Sequence, residues 1–139
     1  MKYFIDANVI VAVLNKEYPS YIYCSRILSL AGHENQTLVT TALCLAIAFY
    51  FAEKKHGSVL AKSKIELLAK HIEIATCGEK EVILTLQNKK ILDFEDGLQY
   101  YAAVHLNCNY IITNDIEDFY FSDIEVIKPE ALIDRYLKS

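Results

Sequence analysis

The chain has 139 residues, of which 53% are hydrophobic and 23% charged. That is enough apolar material for one core and too little length for two, so residues 1–139 are expected to form a single domain. The formal net charge is −4, which argues against a general polyanion binder with a broad basic footprint; it does not exclude an enzyme that meets phosphate through a cation held on carboxylates.

The first strand is predicted over Lys2–Ile5. Asp6 follows it directly, in Phe4-Ile5-Asp6-Ala7-Asn8-Val9-Ile10, where an aspartate serves equally as a helix cap or as a ligand. Tyr23, Ile27 and Leu30 then mark one face of a helix, and a second strand is predicted over Thr37–Thr40. The segment Ala42–Ala52 is apolar all round, as in a central buried helix or part of a dimer interface. It is too short to cross a bilayer, which takes ~20 residues.

Ala61, Ile65 and Leu68 mark the next helix, and Ile72–Ala75 the third strand. Val82, Ile83 and Leu86 give a further helical face. Asp93-Phe94-Glu95-Asp96 puts three acids in four residues, ahead of a helix predicted over Gly97–Leu106 with Leu98, Tyr101 and Ala102 on its apolar side. An Asp93 cap explains part of this block, since acids favour the positive end of a helix, but three acids exceed what one cap needs. The fourth strand, Tyr110–Thr113, leads into Asn114-Asp115-Ile116-Glu117-Asp118-Phe119, and the fifth is Glu125–Ile127. A last helix opens near Pro129 and turns Leu132, Ile133, Tyr136 and Leu137 inward.

Short strands alternating with helices over the whole length imply a mostly parallel sheet covered by helices on both faces. In such folds the site lies beyond the carboxyl ends of the strands. Asp6 and Asp115, with Asp118, follow strands; Asp96 opens a helix that runs antiparallel to the strand it feeds. All are delivered to the same edge from three chain segments. Carboxylates gathered there repel one another, a cost that a divalent cation removes, and an all-oxygen set favours Mg²⁺ or Mn²⁺ over zinc. The four cysteines and four histidines are scattered, which argues against a zinc site. The cysteines are read as free thiols in a reducing compartment. With no signal-peptide pattern at the N-terminus, the expectation is a cytoplasmic protein with no membrane association.

Three of these blocks resemble a known family. Phe4-Ile5-Asp6-Ala7-Asn8-Val9-Ile10 looks like the opening strand of PIN domains. Asp93-Phe94-Glu95-Asp96-Gly97-Leu98-Gln99-Tyr100-Tyr101-Ala102-Ala103 looks like their third acidic block, and Tyr110-Ile111-Ile112-Thr113-Asn114-Asp115 with Asp118-Phe119 looks like the fourth. The resemblance covers essentially the entire chain. It implies a Rossmann-like sandwich and metal-dependent cleavage of RNA, in the style of the VapC-like toxin ribonucleases of toxin–antitoxin modules, with an antitoxin protein as partner; a homodimer is the expected assembly. It also implies that Asp6, Asp96 and Asp115 are the catalytic, metal-holding acids, that Asp118 is a nearby acid of the metal site, and that Asn8 and Thr113 are supporting polar residues. Lys54, Lys55, Lys62, Lys64, Lys89 and Lys90 are candidates for a basic rim that holds phosphate, although solvated helix faces account for most of them.

One position departs from the pattern. The family places a glutamate about two turns into the helix after the second strand, and Ile47 stands at or next to that place. No acid follows before Glu53, on a different face of the helix. The alternative function is therefore a catalytically impaired PIN-like domain acting by dimerisation or protein binding. A phospho-accepting signalling domain is rejected, because Thr76-Cys77-Gly78 after the third strand supplies no aspartate.

Overall fold

The computed structural model of the chain describes residues 1–138. Five strands, β1 (Lys2–Ile5), β2 (Thr37–Thr41), β3 (Glu73–Ala75), β4 (Tyr110–Ile112) and β5 (Glu125–Ile127), form one all-parallel sheet in the order β3-β2-β1-β4-β5. Central β1 is apolar because both of its faces are covered: Tyr3, Phe4 and Ile5 are fully buried. Phe4 pairs with Val39 on one side and Ile111 on the other. Strand order runs outward from β1 in one direction through β2 and β3, and in the other through β4 and β5. The crevice where that direction switches therefore opens above the carboxyl ends of β1 and β4, where Asp6 and the Thr113–Asp118 segment emerge.

The helices are α1 (Ala7–Leu14), α2 (Ser20–Leu28), α3 (Ala42–His56), α4 (Ser58–Ala69), α5 (Glu79–Gln87), α6 (Phe94–His105) and α7 (Pro129–Lys138), with 3-10 turns at Ser29–Gly32 and Ile116–Phe119. α1 packs on α2 and α3, α3 on α4, α5 on α6, and α2 on α7. α1 is buried at Ala7, Val9, Ile10, Val11, Ala12 and Leu14, so it is a core helix rather than a surface one. All four cysteines are free. Among the described residues no helix is long and apolar enough to cross a membrane.

Four sequence expectations need correction. The helix predicted over Gly97–Leu106 starts earlier, at Phe94, because Asp93 caps it by accepting from the Asp96 N–H at 3.0 Å; Asp96 thus sits inside the first turn. Ala42–Ala52 is not buried all round: α3 buries Cys44, Ala48 and Ala52, whereas Tyr50 and Phe51 are about half exposed. On α5 the predicted apolar face is the wrong one, since Ile83 and Leu86 are exposed while Glu81 and Thr85 are buried. Thr85 is buried because it packs against Gly97 of α6, and Glu81 because it is paired. Glu81 accepts from the Gly78 N–H at 2.6 Å, and its other oxygen meets His105 Nδ1 of α6 at 2.5 Å. Leu132 and Ile133 of α7 are buried as expected, whereas Tyr136, expected to face inward, is exposed; Leu137 lies outside the residues whose side chains are described.

The α5–α6 contact also depends on Gly97. A Cβ built there would stand 2.3 Å from Thr85 Cγ2 and 2.9 Å from Ile91 Cγ2. Gly97→Ala is therefore expected to destabilise the fold by about 1–3 kcal/mol through overpacking, despite alanine's better helix propensity. Equilibrium urea unfolding checks it; unchanged stability would mean that α5 slides away freely.

Candidate functional site

β1 ends at Ile5 and α1 begins at Ala7, so Asp6 is held at the turn between them. Its N–H donates to Ile112 O at 3.0 Å, and its Oδ1 accepts from the Ala7 N–H at 2.7 Å. The cap reading of the sequence is thus realised, and it uses only one carboxylate oxygen. Oδ2 accepts from Thr113 Oγ1 at 2.8 Å and from Asn8 Nδ2 at 3.4 Å.

Asn8 Nδ2 also lies 3.0 Å from Thr113 Oγ1 and 3.2 Å from Asp115 Oδ2, while its Oδ1 accepts from the Asn114 N–H at 3.1 Å. One amide therefore stands between the Asp6 and Asp115 carboxylates and fixes the chain segment after β4 against α1. Thr113, fully buried, completes the lattice by accepting from the Asp115 N–H at 3.1 Å. Asn8 and Thr113 both sit where they orient carboxylates.

The cavity above this lattice has a volume of about 370 Å³ and is lined by Asp6, Ala7, Asn8, Val11, Glu17, Ile47, Phe51, Glu95, Asp96, Asp115 and Asp118. All four aspartates singled out in the sequence face it. Six of the lining side chains are carboxylates, and none is a Lys, Arg or His.

The electrostatic consequence is visible in the protonation equilibria. Burial pushes Asp6 up to about 6, with Glu95 and Asp115 adding repulsion, against the stabilising bonds from Thr113 and Ala7. Burial, then Asp93, Asp118, Asp6 and Glu95, push Asp96 up to about 7. Asp118 and Glu95 are raised too, first by burial and then by acidic neighbours.

Two lining acids had no role in the sequence reading. Glu95 was signalled by the excess of acids around Asp96. Glu17 had no signal: it reaches the cavity because the chain turns back after α1 through Lys16, whose φ is 50°.

Ile47 of α3 lines the same cavity, so the carboxylate absent from the resemblance is absent from the site itself. Among the described residues no three His, Cys, Asp or Glu side chains are already drawn into a metal-ligating set. The donor chemistry nevertheless suits a hard divalent cation: uncompensated carboxylate oxygens, tethered by Thr113 and Asn8, with no competing ammonium.

Comparison with known proteins gives consistent results. A family model described as PIN domain matches residues 2–117. The chain is 30% identical to Ribonuclease VapC1 of Aquifex aeolicus (strain VF5), covering 97% of this chain and 95% of that one. Solved structures share the fold. One is VapBC2 from Rickettsia felis bound to a DNA fragment from their promoter (TM-score 0.68, 24% identity, 92% of this chain and 98% of that one). Another is VapBC-1 from nontypeable Haemophilus influenzae (TM-score 0.68, 20% identity, 94% and 99%).

Proposed function

The chain belongs to the PIN domain family, and from that premise we propose that it is an RNA-hydrolysing enzyme dependent on Mg²⁺ or Mn²⁺, the toxin of a toxin–antitoxin module. The observation that carries this reading is the cavity at the β1–β4 switch point, with six carboxylates and no cationic side chain. Asp6, Asp96 and Asp115 would hold the cation, with Asp118 beside them. When bound, the metal supplies Lewis acidity, making water a nucleophile near neutral pH and neutralising charge that develops on phosphate.

The protein's own contribution is orientation. Thr113 Oγ1 donates to Asp6 Oδ2, and Asn8 Nδ2 donates toward both Asp6 and Asp115, which keeps these oxygens aimed before substrate arrives. Apolar Val11, Ile47 and Phe51 wall the same cavity and limit loose water around the phosphate. In-line attack of water on phosphorus would leave a 5′-phosphate and a 3′-hydroxyl.

The test is incubation of purified protein with single-stranded RNA in Mn²⁺ or Mg²⁺ and in EDTA. Cleavage is expected only with metal; cleavage undiminished by EDTA would sink the metal reading.

The partner of the proposed toxin is an antitoxin protein. An apolar groove lined by Val13, Leu14, Leu28, Leu67, Leu68 and Ile72 is surface that such a partner could cover. A homodimer is the proposed assembly, and the exposed Tyr50 of α3 is apolar surface open to it.

Ile47 favours a second reading, a PIN domain that has lost catalysis and acts by binding protein. Ile47→Glu separates the two. In an active enzyme short of one ligand, the added carboxylate is expected to tighten Mn²⁺ binding by roughly tenfold or more, because ligand charge sets affinity. Calorimetric titration reads it. No Mn²⁺ binding by wild type or variant would leave the protein-binding reading in possession.

A further inference from the structure

Resting on the ribonuclease reading, we infer that the surface formed by Lys89, Lys90, Leu92 and Tyr120 is the RNA-binding shelf of this enzyme, taking the strand's phosphates on the lysines and a base on the tyrosine ring. Six lysines are candidates for a basic rim, and their surroundings differ. Lys54 Nζ lies 4.2 Å over the Tyr50 ring, and Lys55 donates to Asn15 O. Lys64 lines the apolar groove beside α4, and Lys62 is an exposed residue of the same helix that lines neither that groove nor the acidic cavity. Lys89 and Lys90, by contrast, are adjacent, exposed, and line a single surface cavity of about 600 Å³ together with Leu92, Tyr120, Phe121, Ser122 and Asp123. Among the described residues the ion pairs are His105–Glu81 and Arg135–Glu125, so both ammonium groups are available to phosphate.

The shelf adjoins the carboxylate cavity through two chain segments. Asp118 lines the acidic cavity and Tyr120, two residues on, lines the shelf. Lys90 leads through Asp93 to Glu95 and Asp96, which line the acidic cavity. Tyr120 Oη donates to Lys90 O at 2.5 Å and locks the two segments together. That bond fixes the ring while leaving it 59% exposed, beside Leu92 at 86%.

A ring held out to solvent next to unpaired ammonium groups is the arrangement that binds single-stranded nucleic acid: stacking on the base and attraction to the backbone, without sequence reading. A substrate so held would be anchored outside the acidic cavity, whose charged side chains are all carboxylates. The shelf supplies the positive charge that the cavity itself lacks.

The test titrates a fluorescein-labelled single-stranded RNA against the full chain in EDTA, by fluorescence anisotropy over a salt series. Lys89→Ala/Lys90→Ala is expected to weaken binding by roughly tenfold or more, and to reduce the slope of log affinity on log salt by about 1.4, or ~0.7 per phosphate contact. Tyr120→Leu should weaken it by roughly tenfold, whereas Tyr120→Phe, which keeps the stacking face but loses the bond to Lys90 O, should weaken it less than Tyr120→Leu does. Stabilisation by Mn²⁺ should be unchanged in every variant, which also shows that each is folded. If wild type cleaves RNA with metal but these variants bind like wild type, or only Lys54→Ala/Lys55→Ala weakens binding, the shelf is refuted and the ribonuclease stands. If wild type neither binds nor cleaves RNA, the ribonuclease reading falls and the shelf with it.

Discussion

Asp96→Asn is expected to lower metal-dependent RNA cleavage by at least about a hundredfold while stabilising the metal-free protein. The two effects come from one charge. Asp96 faces Asp93, Asp118, Asp6 and Glu95, so its carboxylate is useful only when a cation shares it. Asparagine keeps the shape, and the backbone N–H of residue 96 still donates to the Asp93 cap. The gain in EDTA should be modest, about 1 kcal/mol at pH 8, since Asp96 is partly exposed and solvent screens its neighbours.

Asp6→Asn is the less clean variant. Its new amide would face two donors, Thr113 Oγ1 and Asn8 Nδ2, so lost activity would mix with lost fold. Asp93→Asn is the control, because asparagine caps a helix as well as aspartate and Asp93 does not line the cavity. Urea unfolding and gel analysis of a labelled RNA measure both quantities. Cleavage by Asp96→Asn at the wild-type rate would remove this cavity as the reaction centre.

The sheet, its parallel sense and the edge carrying the acids were legible because they follow from alternation and strand handedness, which are local patterns with global consequences. The acids Asp6, Asp96, Asp115 and Asp118 could be placed on one rim because each lies within a few residues of an element end. What escaped was set by contacts between elements. Glu81 is buried on α5 because Gly78 N–H and His105 receive it, and periodicity counts such a residue as surface. The exposure of Tyr50 and Phe51 on α3 could not be read from a helix apolar all round. Glu17 reaches the cavity through a left-handed residue at Lys16, a position with no glycine to announce it.

Metal-free protein is expected to lose stability as pH rises from about 4 to about 7, and excess Mn²⁺ is expected to reverse the loss. Asp6 is raised to about 6 and Asp96 to about 7 in the fold, against ~3.9 for an unfolded aspartate. Between those limits the folded chain binds more protons than the unfolded one, so stability falls with pH and the penalty is complete above about 7. Two pKa units on buried Asp6 correspond to about 3 kcal/mol; partly exposed Asp96 adds less than its shift suggests, and the two titrate as a coupled set. Glu81 acts in the opposite sense. Held below the usual range by the Gly78 N–H and then by His105, it contributes stability lost only at more acid pH, so it does not offset the loss above pH 5. A cation at a hundred times its Kd adds about 2.7 kcal/mol, more at pH 8 than at pH 5, because protons compete for the same oxygens. Thermal unfolding from pH 4 to 8, with EDTA or Mn²⁺, separates these limbs. A metal-free curve flat from pH 5 to 8, or a Mn²⁺ shift no larger at pH 8 than at pH 5, would show that these carboxylates do not share a cation.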